Sequence, residues 1–368
     1  VRVLHLFKTY PPDSFTGVER VIWEIAEGTA ASGVVSDVLT LSAAPADRPL
    51  VNGHHHVHQA RQLLYVASTG LSVSAFSMFR RLAASADIVH YHFPWPMMDL
   101  LHFAVRHGKP SVLTYHSDVV RQVRLQRLYR PVMERFLNSV DRIVATSPNY
   151  LASSPVLQGL RHKTEVIPIG LSRRQPPDEA RLRHWRQRLG EQPFFLFVGA
   201  LRYYKGLSDL LGAARRTGLP VVIVGDGEMR SEIEAARPDN VTLLGALDDA
   251  DKEALLSLCL AFVFPSHVRS EAYGLALVEA ARAGRPMISC ELGTGTSYVN
   301  QHGSTGLVVP PRDPARLADA MLQLWADEAL ASSMGEAAGR RFETHLTSQE
   351  MADRYEALYR KLLSSHAV

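Results

Sequence analysis

Ala261-Phe262-Val263-Phe264-Pro265-Ser266 and, shortly after it, Ser270-Glu271-Ala272-Tyr273-Gly274-Leu275-Ala276-Leu277-Val278-Glu279-Ala280 carry the reading that decides the fold. The first four residues are an apolar strand. A polar loop follows, and then the start of an apolar helix. In an open parallel α/β sheet ligands bind outside that end of the strands. A helix N-terminus there offers free N–H groups and a positive dipole end to an anion. Glu271 falls in the loop and Glu279 about one turn into the helix, and carboxylates accept hydrogen bonds from hydroxyls. A surface helix bearing two solvated glutamates is the plainer alternative, so the neighbouring segments must decide.

Outward from this stretch the second half alternates strand and helix. Apolar strands are expected at Phe194–Gly199, Val221–Val224, Val241–Gly245, Ala261–Phe264, Pro286–Cys290 and Gly306–Val309. Helices fit between them at Leu207–Arg216, Met229–Ala236, Asp249–Leu258, Leu275–Ala283 and Pro314–Ala326. Such alternation implies a parallel sheet covered on both faces. After the first strand comes Ala200-Leu201-Arg202-Tyr203-Tyr204-Lys205-Gly206. Two cations at a strand end beside a helix start suit a diphosphate, since arginine grips oxygens bidentately and lysine adds a point charge. A solvated basic loop is the alternative. Gly225-Asp226-Gly227 reads as an architectural turn.

The first half repeats the design. Val1–Phe7 is strand-like, a turn-rich loop runs from Lys8 to Gly17, and a helical pattern continues to about Ala31. Gly17, at the loop-to-helix junction, lets a ligand oxygen approach the backbone, although an ordinary helix start reads the same way. The full dinucleotide glycine fingerprint is missing, so a nicotinamide cofactor is not supported. His116 follows the short strand Ser111–Tyr115, at the end of the strand where such sheets place functional groups. Residues 42–60, with His54-His55-His56-Val57-His58, read as a solvated loop. No Cys or carboxylate partner there has metal-site spacing. Val119–Phe136 is basic and amphipathic and is expected as two helices divided at Pro131. It is either a solvated arginine face or a surface for anionic lipid.

At 368 residues, 46% apolar and 21% charged, the chain suits two globular domains. No apolar run reaches the roughly 18–20 residues of a membrane span. Cys259 and Cys290 lie in apolar segments and suggest no disulfide framework. Residues 1–172 hold 17 Lys and Arg against 12 Asp and Glu, so this half leans toward anionic partners. Nothing resembles a nucleic-acid module, and no such partner is expected. Pro176-Pro177 mark a linker. The expected division is 1–172, 173–345 and a C-terminal helix in 346–368 that packs back on the first domain.

Taken together, Gly17-Val18-Glu19-Arg20, His116, Ile167-Pro168-Ile169-Gly170, Gly199 through Lys205-Gly206, Val224-Gly225-Asp226-Gly227, Glu271–Glu279 and Gly293-Thr294-Gly295 resemble the retaining glycosyltransferases of family 4. The resemblance covers nearly the whole chain. It implies the α/β GT-B fold, with two Rossmann-like domains whose parallel sheets face a central cleft. The first domain would bind the acceptor and the second a nucleotide-sugar donor. Arg202 and Lys205 match the family's diphosphate cations, Glu271 the glutamate near the transferred sugar, and His116 the residue near that sugar. Gly17, Tyr273, Gly274, Leu275, Ala276 and Glu279 match donor-binding positions, Glu279 on the ribose hydroxyls. Retention of configuration, no cofactor and no required metal are implied. Two departures stand out. Thr16-Gly17 replaces a frequent glycine pair, and only Tyr203-Tyr204 separates the two cations.

Phe7-Lys8-Thr9-Tyr10-Pro11-Pro12-Asp13 and Ser266-His267-Val268-Arg269-Ser270-Glu271 look like bacterial mannosyl- and D-rhamnosyltransferases of O-antigen assembly. That likeness implies GDP-mannose or GDP-D-rhamnose as donor and a polyprenyl-diphosphate-linked saccharide as acceptor. It also implies a cytoplasmic protein, peripheral on the inner membrane. A UDP-sugar donor, a nucleotide-sugar epimerase and a non-catalytic sugar-nucleotide scaffold are the alternatives.

Overall fold

The computed structural model describes residues 1–66, 69–118 and 123–366, with backbone alone for 123–128. The chain divides into two compact units, Val1–Ser172 with Ser348–Val368, and Arg173–Thr347. Each unit is built on its own sheet.

In the first unit eight strands run in the order Thr164–Val166, Arg142–Ala145, Ser111–Tyr115, Ile88–Phe93, Arg2–Leu6, Val35–Ser42, His55–Arg61, Leu50–Asn52. All neighbours are parallel except the last pair. The chain builds outward from Arg2–Leu6 in one direction and then, from Ile88–Phe93, in the other. The sheet's switch point therefore lies between these two strands. Ile88–Phe93 is buried at every position, as a parallel strand covered on both faces must be.

The C-terminal helix Ser348–His366 belongs to this unit because it carries one apolar stripe. Met351, Tyr355, Leu358 and Leu362 recur at spacings of three and four and are all buried. Two hydroxyls on that stripe reach the sheet. Tyr359 meets His90 Nδ1 at 2.7 Å and Tyr355 meets Thr114 at 2.8 Å.

The second unit holds six parallel strands, ordered Val241–Gly245, Val221–Val224, Phe195–Val198, Ala261–Phe264, Met287–Cys290, Gly306–Val309. Its switch point lies between Phe195–Val198 and Ala261–Phe264, which pair through Phe195–Ala261 and Leu196–Phe262. The loops leaving these two strands carry Arg202–Lys205 and Ser266–Glu271. Both cysteines are buried and free.

Two sequence expectations are corrected. The histidine tract is not a solvated loop: His55–Arg61 is a strand parallel to Val35–Ser42. Carboxylates receive three of the tract's four histidines. Glu27 holds His54 and His55 at 2.7 and 2.8 Å, and Asp37 holds His58 at 2.7 Å. The basic segment is not broken at Pro131, since one helix runs Val123–Ser139 through it. The proline removes one N–H, but Met133, Phe136 and Leu137 bury the stripe beyond it and hold the helix together. Val119, Val120, Arg121 and Gln122, with the side chains of Arg124 and Arg127, lie outside the described residues.

Candidate active site

The second unit brings Lys205 and Glu271 together across 66 residues of sequence, with Lys205 Nζ 2.5 Å from Glu271 Oε2. Lys205 closes a single 3-10 turn, Tyr203–Lys205, and Gly206 follows with φ +70°. A Cβ at Gly206 would fall 1.9 Å from the Pro265 carbonyl oxygen, so a side chain there would push the two switch-point loops apart. The His267 amide donates to the Tyr204 carbonyl at 3.0 Å and locks the loops together. Both side chains of the pair are only 12% exposed. The ammonium rests over the Phe264 ring, 4.7 Å from its centroid. An ammonium has three donors, so one bond to Glu271 leaves others for a ligand.

Glu271 is positioned by groups the sequence reading passed over. The buried Thr294 hydroxyl donates to the Glu271 carbonyl at 2.9 Å, and the Gly295 amide donates to Ala272 at 2.8 Å. A Cβ on Gly295 would sit 2.4 Å from the Tyr273 ring. Tyr273 and Gly274 are buried beneath this contact, and Leu275 and Ala276 open the helix Leu275–Arg282. Arg202 is exposed at the start of its turn.

Glu279, half-buried on that helix, interacts with a charge cluster that is only partly buried. Arg174 binds Glu253 at 3.2 Å and Asp249 at 3.1 Å, and Arg282 also binds Glu253. Burial pushes the Glu253 carboxyl up. Arg282 and Arg174 pull it down, and the charge of Glu279 pushes it up again. Arg174 was hidden in what reads as a linker.

In the first unit Gly17 is exposed and begins the helix Gly17–Ala30. The preceding loop is shaped by Glu19, a buried carboxylate that accepts from Thr9, Ser14 and Thr16 at 2.7, 2.9 and 2.7 Å. Glu19 thus draws three hydroxyls of the glycine loop onto one side chain. His116 lies directly after its strand, 7% exposed, and its amide donates to the Phe93 carbonyl at 3.0 Å. Burial lowers its imidazole to a pKa of about 3, so the ring is neutral at ordinary pH.

The pattern of Glycosyltransferase Family 4 matches residues 15–175, and that of Glycosyl transferases group 1 matches 180–341. The D-rhamnosyltransferase WbpZ of Pseudomonas aeruginosa is 53% identical, over 95% of this chain and 93% of its own length. The chain belongs to the family 4 glycosyltransferases. The O-antigen chain mannosyltransferase C of Escherichia coli is 48% identical over 99% of this chain and all of its own. Among solved structures, a sucrose-phosphate synthase of Thermosynechococcus elongatus superimposes with TM-score 0.83 at 21% identity, covering 99% of both chains. That likeness concerns the fold.

The glycosyltransferase thus joins Lys205 to Glu271 and sets Tyr273–Ala276 at a helix entrance beside them. Glu279 lies a turn further along that helix, and Gly17 and His116 belong to the other unit. Thr294 and Arg174 act through contacts distant in sequence, whereas Glu19 gathers hydroxyls of its own loop. His5, His90 and His92 bring ring nitrogens within 4.8 Å of one another, close enough for a metal by distance. Both nitrogens of His90 and of His92 are already engaged in hydrogen bonds. Among the described residues no helix is long and apolar enough to cross a membrane.

Proposed function

We propose that this glycosyltransferase moves mannose or D-rhamnose, with retention, from its GDP-linked form to a polyprenyl-diphosphate-linked saccharide in O-antigen assembly. The observation that carries the reading is the Lys205–Glu271 pair at the switch point of the second unit. It stands in a chain 53% identical to a D-rhamnosyltransferase and 48% identical to an O-antigen mannosyltransferase. In the reaction the bond between the sugar's anomeric carbon and the diphosphate oxygen breaks. The acceptor hydroxyl oxygen forms the new bond on the same face, and its proton passes to the leaving phosphate. Charge accumulates on the diphosphate as it leaves. Lys205, Arg202 and the N–H groups at Leu275 and Ala276 stabilise that charge without a required metal. Glu271 accepts from sugar hydroxyls and Glu279 from the ribose. Gly17 admits the phosphates to the backbone.

A lipid-linked acceptor calls for work at a membrane surface. The first unit offers one in the hairpin Leu64–Val66 with Thr69–Leu71. Leu63, Leu64, Tyr65, Val66 and Val73 are each more than half exposed there. Arg61, Arg80 and Arg81, close to it in sequence, are exposed, and no acidic residue lies between Arg61 and Asp87. Exposed apolar side chains in a segment whose only charges are cationic suit an anionic bilayer interface. On this reading the lipid contact is the hairpin, and the basic segment Val119–Phe136 is a solvated arginine face.

Incubation with GDP-mannose, GDP-D-rhamnose and UDP-sugars, with a polyprenyl-diphosphate saccharide as acceptor, tests the reading. A lengthened glycolipid from a GDP-sugar supports it. Product from UDP-sugars alone overturns the donor, an altered free sugar nucleotide indicates epimerisation, and binding without product indicates a scaffold.

A further inference from the structure

Three buried imidazoles form a row across the C-terminal ends of the first unit's central strands. His5 Nδ1 lies 3.1 Å from His92 Nε2, and His92 Nδ1 lies 3.0 Å from His116 Nε2. His5 and His92 are fully buried, and His116 is the end of the row that reaches the surface. A neutral imidazole has one N–H and one bare nitrogen. Each contact needs one donor and one acceptor, so the three tautomers are coupled. Either every ring carries its proton on Nδ1, or every ring carries it on Nε2.

The far end breaks the tie. His5 Nε2 is buried with no hydrogen-bond partner. If the protons sit on Nε2, that atom is an orphaned buried N–H. If they sit on Nδ1, it is a bare acceptor. Orphaned buried N–H groups are the rarer of the two. The surroundings do not reverse the choice. Asp37 and His55 are the charged or titratable groups acting on His5, and Asp37 is compensated by Arg2 at 2.7 Å. His90 stacks beside the row, its ring 4.9 Å from His5 and 4.3 Å from His92. Its nitrogens meet the Thr114 and Tyr359 hydroxyls, both of which can rotate to either role.

We infer that His5 and His92 are positioning residues that fix His116 as the Nδ1–H tautomer, so that His116 gives the ligand a hydrogen-bond donor and does not act as a base. Its role toward the sugar rests on the function proposed above; the tautomer does not. Burial keeps the row neutral, with His5 as well as His116 held near pKa 3 and His92 well below the ordinary histidine range.

Nitrogen-15 NMR of imidazole-labelled wild-type protein, without ligand, reads the tautomers directly. The expected result is Nδ1–H on all three rings, unchanged from pH 6 to 8; Nε2–H on His116 overturns the inference. In kinetics, His5→Asn keeps a donor near the Nδ1 position and is expected to retain wild-type KM for the donor sugar. His5→Leu removes it and should raise that KM about fivefold, the worth of one hydrogen bond, with kcat little changed. Equal kinetics for the Asn and Leu variants, with both folded, count against a positioning role. If all rings carry Nδ1–H but His116→Phe leaves KM and kcat unchanged, the row stands and the sugar-contact reading of His116 falls.

Discussion

Glu271 holds the flexible Lys205 side chain in one place, which in the proposed reaction is where the leaving charge develops. A preset donor costs little reorganisation during the reaction. Lys205→Ala is therefore expected to lower kcat by about 100-fold or more. Glu271→Gln, which keeps the shape and loses the charge, should cost less. Steady-state turnover with circular dichroism as a fold control checks both, and near-normal turnover for Lys205→Ala would remove it from the reaction. Lys205 and Glu271 were each legible in the sequence, from strand-end position and residue type. Their pairing was not, because nothing local joins residues 66 positions apart. Thr294 and Arg174 were invisible for the same reason.

Secondary elements show the same division between pattern and contact. The C-terminal helix could be read from its apolar spacing, but its bonds to His90 and Thr114 depend on which face of the sheet it covers. Tyr359→Phe leaves the shape and removes a buried hydroxyl. It should cost about 1 kcal/mol of stability, seen as a lower urea midpoint with unchanged m-value. The apolar hairpin escaped the sequence reading because its strands are three residues each and its apolar side chains face outward. If it meets lipid, Leu64→Asp with Tyr65→Asp should abolish co-sedimentation with anionic phosphatidylglycerol vesicles while urea midpoints hold. Undiminished sedimentation would assign the membrane contact elsewhere.

For the molecule as a whole, the buried histidines set an acid limit. His5, His90, His92 and His116 are all held below their ordinary range, chiefly by burial. An unfolded chain protonates them near pH 6.5 and the native chain does not. Their contribution to stability is thus complete above pH 6.5 and is lost as pH falls toward about 3. Asp99, which burial lifts to about 8, acts in the opposite sense by one proton. Unfolding near pH 5 should therefore take up protons on balance, and stability should fall as pH drops below about 6.5. Urea titrations from pH 7 to 4.5 measure this slope, and a flat profile would show that the row is hydrated and titrates normally. The sequence by itself determined the two βα-alternating halves, because a parallel strand covered on both faces must be a short apolar run between helices. It also determined that Lys205 and Glu271 stand in loops leaving the strand ends. Only the tertiary structure decided that the histidine tract runs into a strand, that Lys205 meets Glu271, and that three histidines from separate parts of the first unit's sheet share one row. Those contacts are set by strand order and register across a sheet, and a local pattern of residues does not encode which strand becomes whose neighbour.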